Sequence, residues 1–296
     1  MVTQDDGAGA QRFPVAPGPD GAVTAGMIAR ADGPALEWIE ARPLGQPRGA
    51  PLLFVHGAFG AAWIWQEIFL PHLSRRGRRV AAVSLRGHGG SQGKRHLREA
   101  SLGDYLDDVR AAVRHCGEPP VLVGHSLGGL LAQRLIGQVP LRGLILLAPI
   151  PPDGLALVGA RIALTDPGFW LEAFAGSILP GREPAMALFR HWLFSEGLPL
   201  ERARRYAARM SAESPLALAE AHWPAPMRSA AFAGLPALVV GGAQDRMIWP
   251  ATTWRTALYH GAAHHTVPDI AHFLQLDHGA ESVARLMLDW MDERGL

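Results

Sequence analysis

Five short apolar runs, Pro51–Val55, Val80–Leu85, Val121–Gly124, Leu144–Leu147 and Ala237–Gly241, set the strongest limit on how this chain folds. Each is four to six residues long and apolar almost throughout, the pattern of strands buried on both faces of a parallel sheet. Helical patterns lie between them, one through Leu102, Tyr105, Leu106, Val109 and Val113 and another through Leu130, Leu131, Leu135 and Ile136. Strand alternating with helix predicts an α/β fold with a mostly parallel central sheet flanked by helices. A further strand is expected at Leu36–Glu40, and a closing helix at Glu281–Arg294. With 296 residues the chain has ample length for a substantial core.

The rhythm breaks between Pro151 and Ala230. Candidate helices there are Leu155–Leu164, Phe169–Phe174, Pro184–Phe194, Pro199–Met210 and Pro215–His222, with no strand pattern among them. The expected organisation is a loose N-terminal tail over residues 1–33, a core made of 34–150 and 231–296, and a helical cap over 151–230. Such a cap would sit above the carboxyl ends of the strands, where open α/β sheets bind ligands. Met27 stands as a second candidate start beside Met1.

Charge and cysteine content narrow the function classes. Lys+Arg 28 against Asp+Glu 27 gives a net charge of +1, so no general field draws the chain to nucleic acid. The single cysteine, Cys116, excludes an internal disulfide and a thiolate zinc cage. No cofactor or metal site is expected, and no basic cluster marks a site for a phosphate or a coenzyme A tail. No run of about 18 apolar residues suggests a membrane-spanning helix, and the N-terminus lacks the basic and apolar regions of a signal peptide. The expected location is the cytoplasm.

The chemistry is concentrated in Val121-Leu122-Val123-Gly124-His125-Ser126-Leu127-Gly128-Gly129. G-x-S-x-G alone is common, but here it follows a buried strand and opens an amphipathic helix, the setting of a nucleophile elbow. So tight a turn needs minimal side chains at Gly124 and Gly128. It exposes the Ser126 hydroxyl and sets the Leu127 amide at a helix N-terminus facing an incoming oxyanion. A serine needs a base, and the base an orienting acid. Asp245, just past the run Leu238–Gly242, and His272, in the loop before the last helix, follow in the order Ser, Asp, His that this architecture uses. Asp153 is a rival acid at another strand end. The pair His264-His265 reads as surface or supporting residues. A second oxyanion donor is expected from His56-Gly57-Ala58-Phe59, where Gly57 would turn the backbone and free the amide of Ala58, or that of Phe59. His56 is expected to pin the loop.

These pieces together resemble the α/β-hydrolase family over roughly residues 36–296. The resemblance rests on His56-Gly57, Arg86-Gly87-His88-Gly89-Gly90-Ser91, the Gly124–Gly128 elbow, Asp245 and His272. It implies catalytic roles for Ser126, Asp245 and His272 and a structural role for the Arg86–Ser91 turn. A softer likeness is to the lysophospholipase and monoacylglycerol-lipase-like branch. Epoxide hydrolases and haloalkane dehalogenases of this fold carry aspartate where Ser126 stands, and dienelactone hydrolases carry cysteine. Serine points instead to acyl transfer.

The expected activity is therefore hydrolysis of a small to medium, mostly apolar carboxylic ester through an acyl-enzyme, with a small-molecule ester and water as partners. The alternatives are the same triad applied to carbon–carbon or thioester hydrolysis or to acyl transfer, and a non-catalytic ligand-binding relative. Phe59, Trp63, Trp170 and Trp192 are candidates for an apolar pocket. Packing of the cap onto the sheet is the simpler role for most such residues.

Overall fold

In the computed structural model, which describes residues 23–168 and 186–296, the strands form one sheet in the order β1-β2-β4-β3-β5-β6-β7-β8. They are β1 (Val23–Ile28), β2 (Leu36–Ala41), β3 (Leu52–Val55), β4 (Val80–Val83), β5 (Val121–His125), β6 (Gly143–Leu147), β7 (Ala237–Gly242) and β8 (Ala263–Val267). The described helices are α1 (Phe69–Arg75), α2 (Leu102–His115), α3 (Leu127–Arg134), α4 (Ala156–Thr165), α5 (Met186–Leu193), α6 (Leu200–Ala207), α7 (Pro215–Ala221), α8 (Pro250–His260) and α9 (Ala280–Asp292). Only β2 runs against its neighbours; from β4 to β8 every pairing is parallel.

Alternation along the inner strands divides the core in two. Leu52, Phe54, Val121, Val123, Ile145, Leu147, Leu238 and Val240 pack on one side with residues of α1 and α9. Leu53, Val55, Leu122, Leu144, Leu146 and Val239 pack on the other with residues of α2 and α3. Both faces are dry, which is why these strands read as unbroken apolar runs.

Two edge strands depart from the sequence reading. Val23–Ile28 falls within the expected tail yet forms β1, pairing along the full length of β2. Four of its six residues are exposed, so burial imposes no apolar pattern on it. β8, Ala-His-His-Thr-Val, is likewise polar and only half-buried.

Helices α4 to α7 form an insertion between β6 and β7. The helix expected at Phe169–Phe174, with Trp170, lies outside the described residues. The ends of the insertion are stitched together: Leu155 N–H donates to Ala221 O and Ala156 N–H to His222 O, at 3.0 and 3.1 Å. Ser214 caps α7, accepting the Ala217 amide at 3.1 Å.

Candidate active site

Ser126 sits between β5 and α3 at φ 50°, ψ −113°, a conformation that L residues adopt at a cost of roughly 1–3 kcal/mol. The flanking glycines make the turn possible by lacking volume. A Cβ on Gly124 would strike the carbonyl of Gly128, and one on Gly128 would strike the carbonyls of Val55 and His56. The Ser126 amide donates to Leu147 O at 3.1 Å, and its carbonyl accepts from Ile150 N–H at 3.1 Å and from Leu130 N–H. Neighbouring backbone thus holds the elbow open, with Leu127 as the first residue of α3.

Asp245 and His272 follow the ends of β7 and β8. β7 ends at Gly242, and three residues on the Asp245 carboxylate accepts the Met247 and Ile248 amides on Oδ1, at 2.8 and 2.9 Å. Its Oδ2 lies 2.9 Å from His272 Nδ1, which donates to it. The rival Asp153 is elsewhere, paired with Arg255 at 2.9 Å. His125, the residue before Ser126, donates from Nε2 to the His272 carbonyl at 3.0 Å, its ring 4.9 Å from that imidazole. No hydrogen bond joins Ser126 Oγ to the His272 imidazole among the described residues, the imidazole's side-chain partner being Asp245.

A family model described as "Alpha/beta hydrolase family" matches residues 52–286. The chain belongs to the α/β-hydrolase family. A pimeloyl-[acyl-carrier protein] methyl ester esterase of Stenotrophomonas maltophilia is 29% identical over 260 residues, covering 81% of this chain and 92% of that one. An sn-1-specific diacylglycerol lipase of Mus musculus is 31% identical over 128 residues, 43% of this chain and 38% of that one. Among solved structures, a thermophilic esterase from Thermogutta terrifontis superposes with a TM-score of 0.65 at 21% identity, covering 92% of this chain and 100% of that one.

In this hydrolase-family chain the loop after β3 approaches Ser126 closely. Gly57 has no room for a side chain: a Cβ there would lie 2.8 Å from His125 Nδ1 and 3.0 Å from Ser126 Cβ. Close approach, rather than a sharp turn at Gly57, explains this glycine. The left-handed residue is Phe59, at φ 63°. Its amide is already taken, donating to Glu213 Oε2 at 3.2 Å, which leaves Ala58 as the candidate donor. His56 pins the loop as expected, donating from Nδ1 to Gly57 O at 2.8 Å and accepting the Leu85 amide on Nε2 at 3.0 Å. Burial, with His88 beside it, pushes the His56 pKa down to about 3, so its ring remains a neutral bracket.

The remaining motif residues brace this arrangement. Arg86 grips the buried Asp108, with Nη2 2.7 Å from Oδ1, and also pairs with Asp104, fixing the Arg86–Ser91 turn to α2. Trp63 and Trp192 are 8% and 4% exposed and pack in the core; Trp63 stacks on Tyr206, with Arg209 over its face at 4.4 Å. Their bulk fills the seam between insertion and sheet. Phe59 is 44% exposed.

Two acids that sequence reasoning did not single out are tied to the site. The Asp277 carboxylate is buried beneath the His272 loop, and Glu213 is buried beside the Ala58 loop. Burial pushes the Glu213 carboxyl up, but His88, the Tyr105 hydroxyl and the Ser214 amide outweigh it and hold the group below the usual range. The one hint to Glu213 in the sequence is its place before Ser214-Pro215, a helix-start signal.

Proposed function

We propose that this chain is a serine hydrolase that cleaves a carboxylic ester through an acyl-enzyme, with residues 151–230 acting as a cap over the site. The observation that carries the reading is the 2.9 Å bond between His272 Nδ1 and Asp245 Oδ2 in a chain whose elbow presents Ser126 at φ 50°. Because Nδ1 donates to Asp245, the Nε2 lone pair is the one available to accept a proton.

In this reading His272 Nε2 removes the hydroxyl proton as Ser126 Oγ attacks the ester carbonyl carbon. The carbonyl oxygen becomes an oxyanion held by the Ala58 and Leu127 amides, each worth about 3 kcal/mol of barrier lowering. The imidazolium, steadied by Asp245, returns its proton to the alkoxide leaving group, and an alcohol departs. Water then gives up a proton to His272 and attacks the acyl carbon, releasing the acid and restoring Ser126. The names of the two sequence relatives, a methyl ester esterase and a diacylglycerol lipase, support an ester as the substrate class. The exposed Phe59 ring beside the site supports a mostly apolar acyl group of small to medium size.

The experiment is hydrolysis of p-nitrophenyl esters of graded acyl length by the wild type and Ser126→Ala, with fluorophosphonate labelling in parallel. Turnover and labelling that both vanish in Ser126→Ala support the reading, and the chain-length optimum sizes the pocket. Labelling without ester turnover redirects the search to thioester and carbon–carbon substrates. Loss of neither signal in Ser126→Ala, or absence of both from folded wild type, refutes it.

A further inference from the structure

Glu213 lies between α6 and α7, far along the chain from Ser126, yet its carboxylate grips the loop that carries Ala58. Oε2 accepts the Phe59 amide at 3.2 Å, and Oε1 accepts the Tyr105 hydroxyl at 2.5 Å. His88 Nε2 stands 3.3 Å from Oε2. The carboxylate is held locally as well: the Ser214 amide donates to Oε1 at 2.7 Å, and the neighbouring Ser214 hydroxyl donates to Ala100 O at 2.6 Å. The same stretch holds the loop a second time, because the Ser211 amide donates to Phe59 O at 3.0 Å. Phe59 is therefore clamped at both its N–H and its C=O while it occupies a left-handed φ of 63°, a conformation that a bulky residue keeps only when its surroundings impose it.

Ala58 and Phe59 offer consecutive amides beside Ser126, and a free loop could turn either toward a substrate oxygen. We infer that Glu213 is a positioning residue for the oxyanion hole: by occupying the Phe59 amide it fixes the turn that reserves the Ala58 amide for the oxyanion. The insertion then supplies a part on which the transition state depends, whether or not it touches the substrate. This inference rests on the serine-hydrolase reading.

The test uses an ester with Ser126-dependent turnover and a trifluoromethyl ketone of matching chain, whose hemiketal oxyanion occupies the same hole. Glu213→Gln keeps the size of the side chain but removes the charge. It is expected to lower kcat about 10- to 100-fold, less than the loss of a whole donor, with KM within about twofold and ketone affinity falling in step with kcat/KM. Tyr105→Phe, which leaves the carboxylate in place with one partner fewer, is expected to shift both quantities in the same direction by a smaller factor. Near-wild-type kcat and ketone affinity in folded Glu213→Gln overturns the inference while leaving the serine reading intact. So does a kcat loss without a matching ketone loss, which marks general disruption, or a change in KM alone. If Glu213→Gln does not fold, Tyr105→Phe decides by the same criteria. Wild type that neither turns over nor labels at Ser126 overturns the serine reading, and this inference with it.

Discussion

The Asp277 carboxylate accepts the Ala271 amide at 3.0 Å, one residue before His272. The same Oδ2 accepts the Ser195 amide at 3.0 Å, while Oδ1 accepts the Ser195 hydroxyl at 2.6 Å and the His278 amide at 2.8 Å. One buried carboxylate therefore joins the loop carrying the imidazole to the end of α5 in the insertion. It also matches the Phe273 amide, which donates to Leu193 O at 3.2 Å. The position of His272 depends on how the insertion sits on the sheet.

Asp277→Asn should expose that dependence. The Ala271, Ser195 and His278 amides and the Ser195 hydroxyl all donate to this carboxylate, so an amide in either orientation sets its own N–H groups against one of them. The expected loss is about 2–3 kcal/mol of stability, read as a lower urea midpoint, with a fall in kcat as the His272 loop loosens. An unchanged midpoint would show that the carboxylate does not bind the two segments together.

The backbone of Ser126 makes a second prediction. Ser126→Ala and Ser126→Gly both remove the hydroxyl, but only glycine adopts φ 50° without strain. Of the two variants, Ser126→Gly should unfold at the higher temperature, by about 1 kcal/mol in stability. Calorimetry of the pair measures the strain net of glycine's greater unfolded-state entropy, and a higher melting point for Ser126→Ala would show that the strain is the smaller of the two.

The elbow glycines are intolerant for a different reason. Gly124→Ala places a methyl group on the Gly128 carbonyl, and Gly128→Ala places one on the carbonyls of Val55 and His56. Backbone cannot swing aside as a side chain does, so each variant should lose about 3 kcal/mol or more together with its activity. Soluble yield and urea unfolding test this. Gly117→Ala serves as the comparison, since it meets no atom within 4 Å but carries the strain of φ 77° and should cost only about 1 kcal/mol.

Buried histidines set the acid stability. Burial pushes His56 down to about 3 and His260 down to about 4, and burial with the neighbouring His272 pushes His125 well below its ordinary value. In the unfolded chain each takes a proton near pH 6.5. Between that value and the folded ones the unfolded state binds more protons, so stability is full above about pH 6.5 and falls as the pH drops. Each group contributes about 1.4 kcal/mol per pH unit where it is neutral in the folded state and charged in the unfolded one. Urea midpoints measured from pH 7.5 to 5 should decline accordingly, and His260→Gln should make the slope shallower by roughly one proton. A flat profile would contradict neutral burial of these rings.

The inner strands were legible in the sequence because burial on both faces removes polar residues: Leu52–Val55 and Leu144–Leu147 hold none. β1 and β8 were not, since an edge strand with an exposed face carries residues such as Thr24 or His264 that also suit a loop. Ser126, Asp245 and His272 stood out because each follows a strand end in an order that the elbow dictates. Glu213 carries no such marker. Its partners Phe59 and Tyr105 lie more than a hundred residues away, and only the folded chain brings them together. Gly57 is the opposite case: its type is legible in the sequence but its reason is not, because the space it leaves is taken by His125 and Ser126, which only the folded chain brings beside it.

The division of each inner strand between two cores constrains how a chain of this kind could have changed over time. Phe54 and Val55 serve opposite sides of the sheet, so a one-residue insertion or deletion in β3 would exchange both sets of partners at once. Strand length is frozen by this double commitment, while the connections beyond the strand ends bear no such debt. Those connections can change length without disturbing either core, and the longest of them runs between Leu147 and Ala237.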